Sequence, residues 1–147
     1  DTAASLVKQM KELGMTTKLA SADGPCTKKF IDLAGDAAEG VVCSQAGMPL
    51  SKMAKGAEYS ANYEKTFAGQ KVQIYSPFAY DAVYALAEAM KIAGSTDREA
   101  IAAAMPKVSF PGLTGQVAFD EKGDIKNGAI SIFQVRNKAL EVIDIIK

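Results

Sequence analysis

The chain has 147 residues with 17 basic and 17 acidic side chains, and its net charge of +0 favours neither a polyanion nor a charged membrane surface as partner. Histidine is absent, which excludes a His-based triad, a His general base and a His metal site. No apolar run approaches the ~18 residues that span a bilayer, whereas the length is ample for one domain with a real core.

Asp1-Thr-Ala-Ala leads straight into a helix with no signal peptide, so the chain is expected to start inside something already processed or truncated. Leu6, Val7, Met10 and Leu13 form one stripe of a helix over residues 2–13, which Asp1 or Thr2 caps and Gly14 closes. A helix ahead of any strand is unusual for parallel α/β architecture, and strands are expected upstream.

Residues 18–45 read as strand, turn, short helix and second strand. Residues 18–21 form the first strand, and Asp23-Gly24-Pro25 turn the chain: Asp bonds its own backbone, Gly permits positive φ and Pro stiffens the exit from the turn. Phe30, Ile31 and Ala34 recur at helical spacing from Thr27, and Gly35 is the natural stop. Gly40-Val41-Val42-Cys43 is a short apolar run suited to a buried parallel strand. Such a unit brings Asp23 and residues 43–45 to one carboxyl edge, where open α/β sheets bind ligands. A carboxylate there is a candidate clamp for a cationic group, although taken by itself Asp23 before Gly-Pro reads first as a turn former. Lys28 and Lys29 read as a solvated face. Cys26 and Cys43 stand 17 positions apart, and two readings of the pair stay open: a bridge in an oxidising compartment, or two small buried thiols.

Residues 44–49 carry the Gly and Pro of a hinge or crossing. A helix is expected over residues 51–67 with Met53, Ala57, Tyr63 and Phe67 partly aligned. Residues 75–78 read as extended, since Pro77 disfavours helix at Ser76. From Phe78 to Ala93 runs the strongest helix, with Ala79, Val83, Leu86, Ala87 and Met90 as its stripe. Phe78 and Tyr80 read as packing residues, and Asp81 as an offset to the helix dipole. Thr96 to Glu99 form a capping box for a helix that Pro106 ends. The last third is β: residues 115–119, 129–135 and 140–145 alternate and are expected as antiparallel strands. The chain thus divides near residues 44 and 112.

Three runs, LAGDAAEGVV at residues 33–42, YSPFAYDAVYALAEAMKIAGSTD at 75–97 and LTGQVAFDEKGD at 113–124, occur in this order. Through them the chain resembles the type I periplasmic solute-binding proteins of branched-chain amino-acid ABC transporters, the leucine/isoleucine/valine-binding-protein-like family. The resemblance covers nearly the whole chain but only the carboxyl-terminal portion of such a protein. It implies part of a two-lobe α/β fold, with parallel α/β sheets, terminal antiparallel strands and an incomplete amino-terminal lobe. Residues 1–44 are then the second half of lobe two. Residues 45–112 are hinge and lobe-one helices, and residues 113–147 cross back to the β-rich end of lobe two. Segments 43–47 and 110–114 become hinge strands.

The resemblance also implies the site. Asp23 stands where the family binds the ligand's α-ammonium, and Tyr75 where an aromatic packs against the ligand. The donors to the ligand carboxylate fall outside the chain, leaving about half a pocket. The implied function is periplasmic capture of an amino acid by lobe closure and delivery to a membrane permease. The same fold also serves as a ligand-sensing domain of a receptor or an amide- or amino-acid-responsive regulator. No enzyme, metal, cofactor or nucleic-acid role is implied, and pairing Asp23 with Asp36 or Glu39 as acid and base has no support. The chain is expected beside its missing amino-terminal portion or as a homodimer that exchanges segments.

Overall fold

The computed structural model describes residues 2–147, so the capping role for Asp1 lies outside the described residues. The chain forms two compact units: residues up to Met48 joined by Ala129–Lys147, and Pro49–Gly128.

In the first unit, helix α1 (Thr2–Glu12) leads to strand β1 (Ala20–Ser21), helix α2 (Lys28–Ala34) and strand β2 (Val42–Ala46). Thr27 caps α2, its Oγ1 accepting from the Phe30 amide at 3.1 Å, and Gly35 ends the helix at φ 58°. β1 and β2 are parallel, with Ala20 opposite Val42 and Ser21 opposite Cys43. The chain returns at its end as β5 (Ile130–Arg136) and β6 (Ala139–Ile146), giving the sheet order β1-β2-β5-β6 with antiparallel pairing after β2. Asn137 and Lys138 both take positive φ, the two-residue turn whose twist matches the flanking strands. Alternation works along β5 as the period of two requires: Ser131, Phe133 and Val135 are buried. Val135 joins Phe30, Ile31, Val41 and the α1 residues Ala4 and Val7 in the core of this unit.

In the second unit, the helix expected over residues 51–67 is two pieces, a 3-10 turn (Leu50–Lys52) and α3 (Gly56–Thr66). The join is tight: a Cβ on Gly56 would collide with the Leu50 carbonyl oxygen. Helix α4 (Ser76–Ala93) starts earlier than the proline rule predicts. Pro77 lies in the first turn, where its missing N–H has no intrahelical partner to lose and its φ is already helical. The stripe of α4 also differs. Its buried residues are Pro77, Asp81, Ala85 and Ala89, spaced by four, while Val83, Leu86 and Met90 are exposed. Helix α5 (Arg98–Ala104) is capped by Asp97, one residue after the expected box start, with its carboxylate accepting from the Glu99 and Ala100 amides at 3.0 Å.

The expected boundary near residue 112 falls instead at 128. Strands β3 (Ser109–Pro111) and β4 (Gln116–Ala118) pair antiparallel as a separate hairpin, and Val108 and Val117 share a core with Ala85, Ala89 and Ala104. Packing against alanine faces, rather than joining the terminal strands, decides where residues 113–128 belong. The first boundary likewise moves from 44 to 48, because Ser131 Oγ donates to the Gly47 carbonyl at 2.7 Å and the Gly47 amide donates to Ala129.

Candidate functional site

Two parallel strands ending side by side leave their carboxyl termini on one edge, and the chain beyond β1 turns there. Ala22, Asp23 and Gly24 are exposed on this turn, while Pro25 and Cys26 dip into the protein. The Cys26 amide donates to the Asp23 carbonyl at 2.9 Å, closing the turn. Cys26 and Cys43 are bridged across 5.7 Å between Cα atoms, which settles the open reading of the pair in favour of a disulfide. Gln45, two residues along β2, donates its side-chain amide to the Cys26 carbonyl at 3.0 Å. Asp23 thus sits on a cross-linked turn at the carboxyl edge of β1 and β2. Lys28 pairs with Asp32 on the exposed face of α2, as a solvated helix surface should.

Tyr75 belongs to the other unit. It immediately precedes α4, is 52% exposed, and its carbonyl accepts from the Ala79 amide at 3.0 Å.

The second unit also contains a cavity of about 310 Å³ that sequence reasoning missed, lined by Lys55, Glu58, Asn62 and the rings of Tyr59, Tyr80 and Tyr84. Tyr59 and Tyr80 meet edge to face with centroids 5.3 Å apart, and Tyr80 donates its hydroxyl to Tyr84 at 3.3 Å. That donation is the main reason the Tyr80 hydroxyl ionises above its ordinary range, with burial second. Burial raises Tyr59, helped by the neighbouring Tyr63 and Asp81. The sequence signal was present in the i, i+4 spacing of Tyr59 with Tyr63 and of Tyr80 with Tyr84, which puts each pair on one helix face.

Asp81 is not a dipole offset. It is 5% exposed and accepts from the Leu113 amide at 2.8 Å, the Thr114 amide at 2.7 Å and the Thr114 hydroxyl at 2.6 Å. Three donors at these distances hold the carboxylate in place and pin the 112–115 loop to α4. Phe78 is half-buried and Tyr80 exposed in the ring cluster.

Among the described residues no group of three His, Cys, Asp or Glu is placed to hold a metal ion, and no helix is long and apolar enough to cross a membrane. The family model for periplasmic binding proteins matches residues 1–139. The chain is 35% identical over 122 residues to the Leu/Ile/Val-binding protein homolog 1 of Brucella abortus, covering 82% of this chain and 32% of that protein. It superposes on a leucine-binding protein of Thermotoga maritima with a TM-score of 0.82 at 26% identity, covering 97% of this chain and 41% of the other. A branched-chain amino-acid substrate-binding protein of Streptococcus pneumoniae, solved with isoleucine, shares the fold at a TM-score of 0.78 and 21% identity, with 99% and 41% covered. The chain therefore spans about a third of the length of the curated relatives it matches. With mixed α/β units of this topology and a match along nearly its whole length, the chain belongs to the type I periplasmic binding proteins of the leucine/isoleucine/valine-binding-protein-like family.

Proposed function

We propose that this chain is the carboxyl-terminal portion of an extracytoplasmic, periplasmic solute-binding component of an ABC transporter. It captures a branched-chain or related amino acid by lobe closure and delivers it to a membrane permease. The family is one of solute-binding proteins and not of enzymes, and its named relatives bind leucine, isoleucine and valine. In this reading the unit carrying β1, β2, β5 and β6 belongs to lobe two and Pro49–Gly128 to lobe one. The chain supplies about half of the pocket, and the donors to the ligand carboxylate come from residues outside it. The exposed apolar face of α4 is covered by the amino-terminal portion of the same protein, or without it by a second copy exchanging segments.

The observation that carries the proposal is the Asp23 turn at the carboxyl edge of two parallel strands. Asp23 accepts the ligand's α-ammonium, a charge-assisted bond strengthened when closure excludes water. Tyr75 packs its ring on the ligand's carbon skeleton. A thermal-shift screen of amino acids on the complete protein, followed by calorimetry of the best ligand, tests this. Asp23→Asn is expected to weaken binding at least about thirtyfold, the lower end of what losing one partner of a desolvated charge pair costs. Unchanged affinity in Asp23→Asn removes the ammonium assignment, and a complete protein that no amino acid stabilises removes the function.

A further inference from the structure

A carboxylate selects an ammonium only when it is held within about 0.5 Å of the productive place, and β1 is a poor anchor for that purpose. It is two residues long, and its ladder to β2 ends at Ser21 opposite Cys43. Ala22, Asp23 and Gly24 then run exposed, so ordering them costs backbone entropy that their own burial does not offset. One restraint on the turn is a grip on Cys26 from β2. Cys43 and Gln45 are alternate residues of β2 and therefore face the same way. Cys43 holds Cys26 through the disulfide, and Gln45 holds its carbonyl at 3.0 Å. Cys26 in turn passes the restraint to Asp23 through its amide, 2.9 Å from the Asp23 carbonyl. Both cysteines are 1% exposed, so the anchor point itself is fixed in the interior.

We propose that Gln45 and the Cys26–Cys43 bridge are positioning groups that hold the Asp23 turn in place, so that selection of the ligand's ammonium group depends on them. This rests on the reading of Asp23 as the ammonium contact. The unsupported turn would sample many placements, and the affinity lost would fall on the ammonium and not on the ligand's carbon skeleton.

The test compares unaltered complete protein with Gln45→Leu and with the double substitution Cys26→Ala/Cys43→Ala, all held well below their melting temperatures. Calorimetry with L-leucine and with 4-methylpentanoate, which lacks the amino group, gives the discrimination between them. Hydrogen exchange gives the protection of the Cys26 amide. Gln45→Leu is expected to weaken leucine binding about tenfold, to narrow the discrimination by a similar factor, and to speed exchange at Cys26. The double substitution acts in the same direction. Native discrimination in both variants overturns the proposal, and so does weaker leucine binding with an unchanged ratio, since that marks general loss of stability. If the unaltered protein binds no amino acid, the ammonium reading fails separately. Exchange at Cys26 then decides alone: faster exchange in Gln45→Leu keeps the brace, and unchanged exchange removes it.

Discussion

Asp81 shows how much one side chain can hold. Its carboxylate takes three hydrogen bonds from Leu113 and Thr114 while almost wholly buried, so removing it leaves two backbone amides without their acceptor. Asp81→Ala is expected to destabilise the second unit by about 3 kcal/mol, whereas Thr114→Val, which deletes only the hydroxyl donor, costs about 1 kcal/mol. Urea unfolding followed by circular dichroism separates the two, and equal midpoints would contradict the clamp. Gly112 belongs to the same arrangement. A Cβ there would lie 2.6 Å from Asp81 Oδ2 and 2.8 Å from Val117 Cγ2, so Gly112→Ala must displace the clamp or the hairpin. None of this was legible locally. Asp81 in the first turns of a helix has an ordinary explanation, and its partners lie 32 and 33 positions away. The turn at Asp23, as distinct from any ligand role, was readable because Gly-Pro comes directly after it and a strand precedes it.

At the scale of elements, the strand–helix–strand unit was readable because each step has a local cause: the Asp23 turn, the Thr27 cap and the Gly35 stop. The orientation of α4 was not. Its largest aliphatic residues suggested the buried face, but α5 and the β3–β4 hairpin pack on the small one, where Ala85 and Ala89 allow close approach. Partner geometry overrode side-chain size. The bridge across 17 positions should contribute about 3 kcal/mol by restricting the unfolded chain, so Cys26→Ala/Cys43→Ala lowers the melting temperature of the first unit even without ligand. A double variant that melts with the native protein would contradict this. The tyrosine cluster of α3 and α4 yields a pH dependence. Tyr59 and Tyr80 ionise at higher pH in the fold than in the unfolded chain, so above about pH 10 the unfolded state loses protons first. Stability from these groups is present below that range and falls as pH rises through it. Urea midpoints at pH 8 and pH 10.5 should show the decline, and Tyr59→Phe/Tyr80→Phe should flatten it.

For the molecule as a whole, the decisive quantity is apolar surface left on α4. Val83 is 66% exposed, Leu86 46% and Met90 38%, and on a helix their spacing places them along one side. A contiguous apolar strip on a helix that already buries its opposite face marks an interaction surface rather than ordinary surface scatter. The relatives are about three times as long, and under the proposed function residues outside this chain cover the strip. The 147-residue chain by itself is therefore expected to self-associate at micromolar concentration, measured by multi-angle light scattering. Replacing Val83, Leu86 and Met90 together by Lys should restore the monomer without loss of helical signal, because none of the three contributes to the buried face. The amino-terminal portion of the complete protein, supplied separately, should compete with self-association in the native chain and fail to do so in the triple variant. A native chain that runs as a monodisperse monomer and unfolds in one cooperative step would show that this face needs no cover, and the segment-sharing arrangement would then have no physical basis.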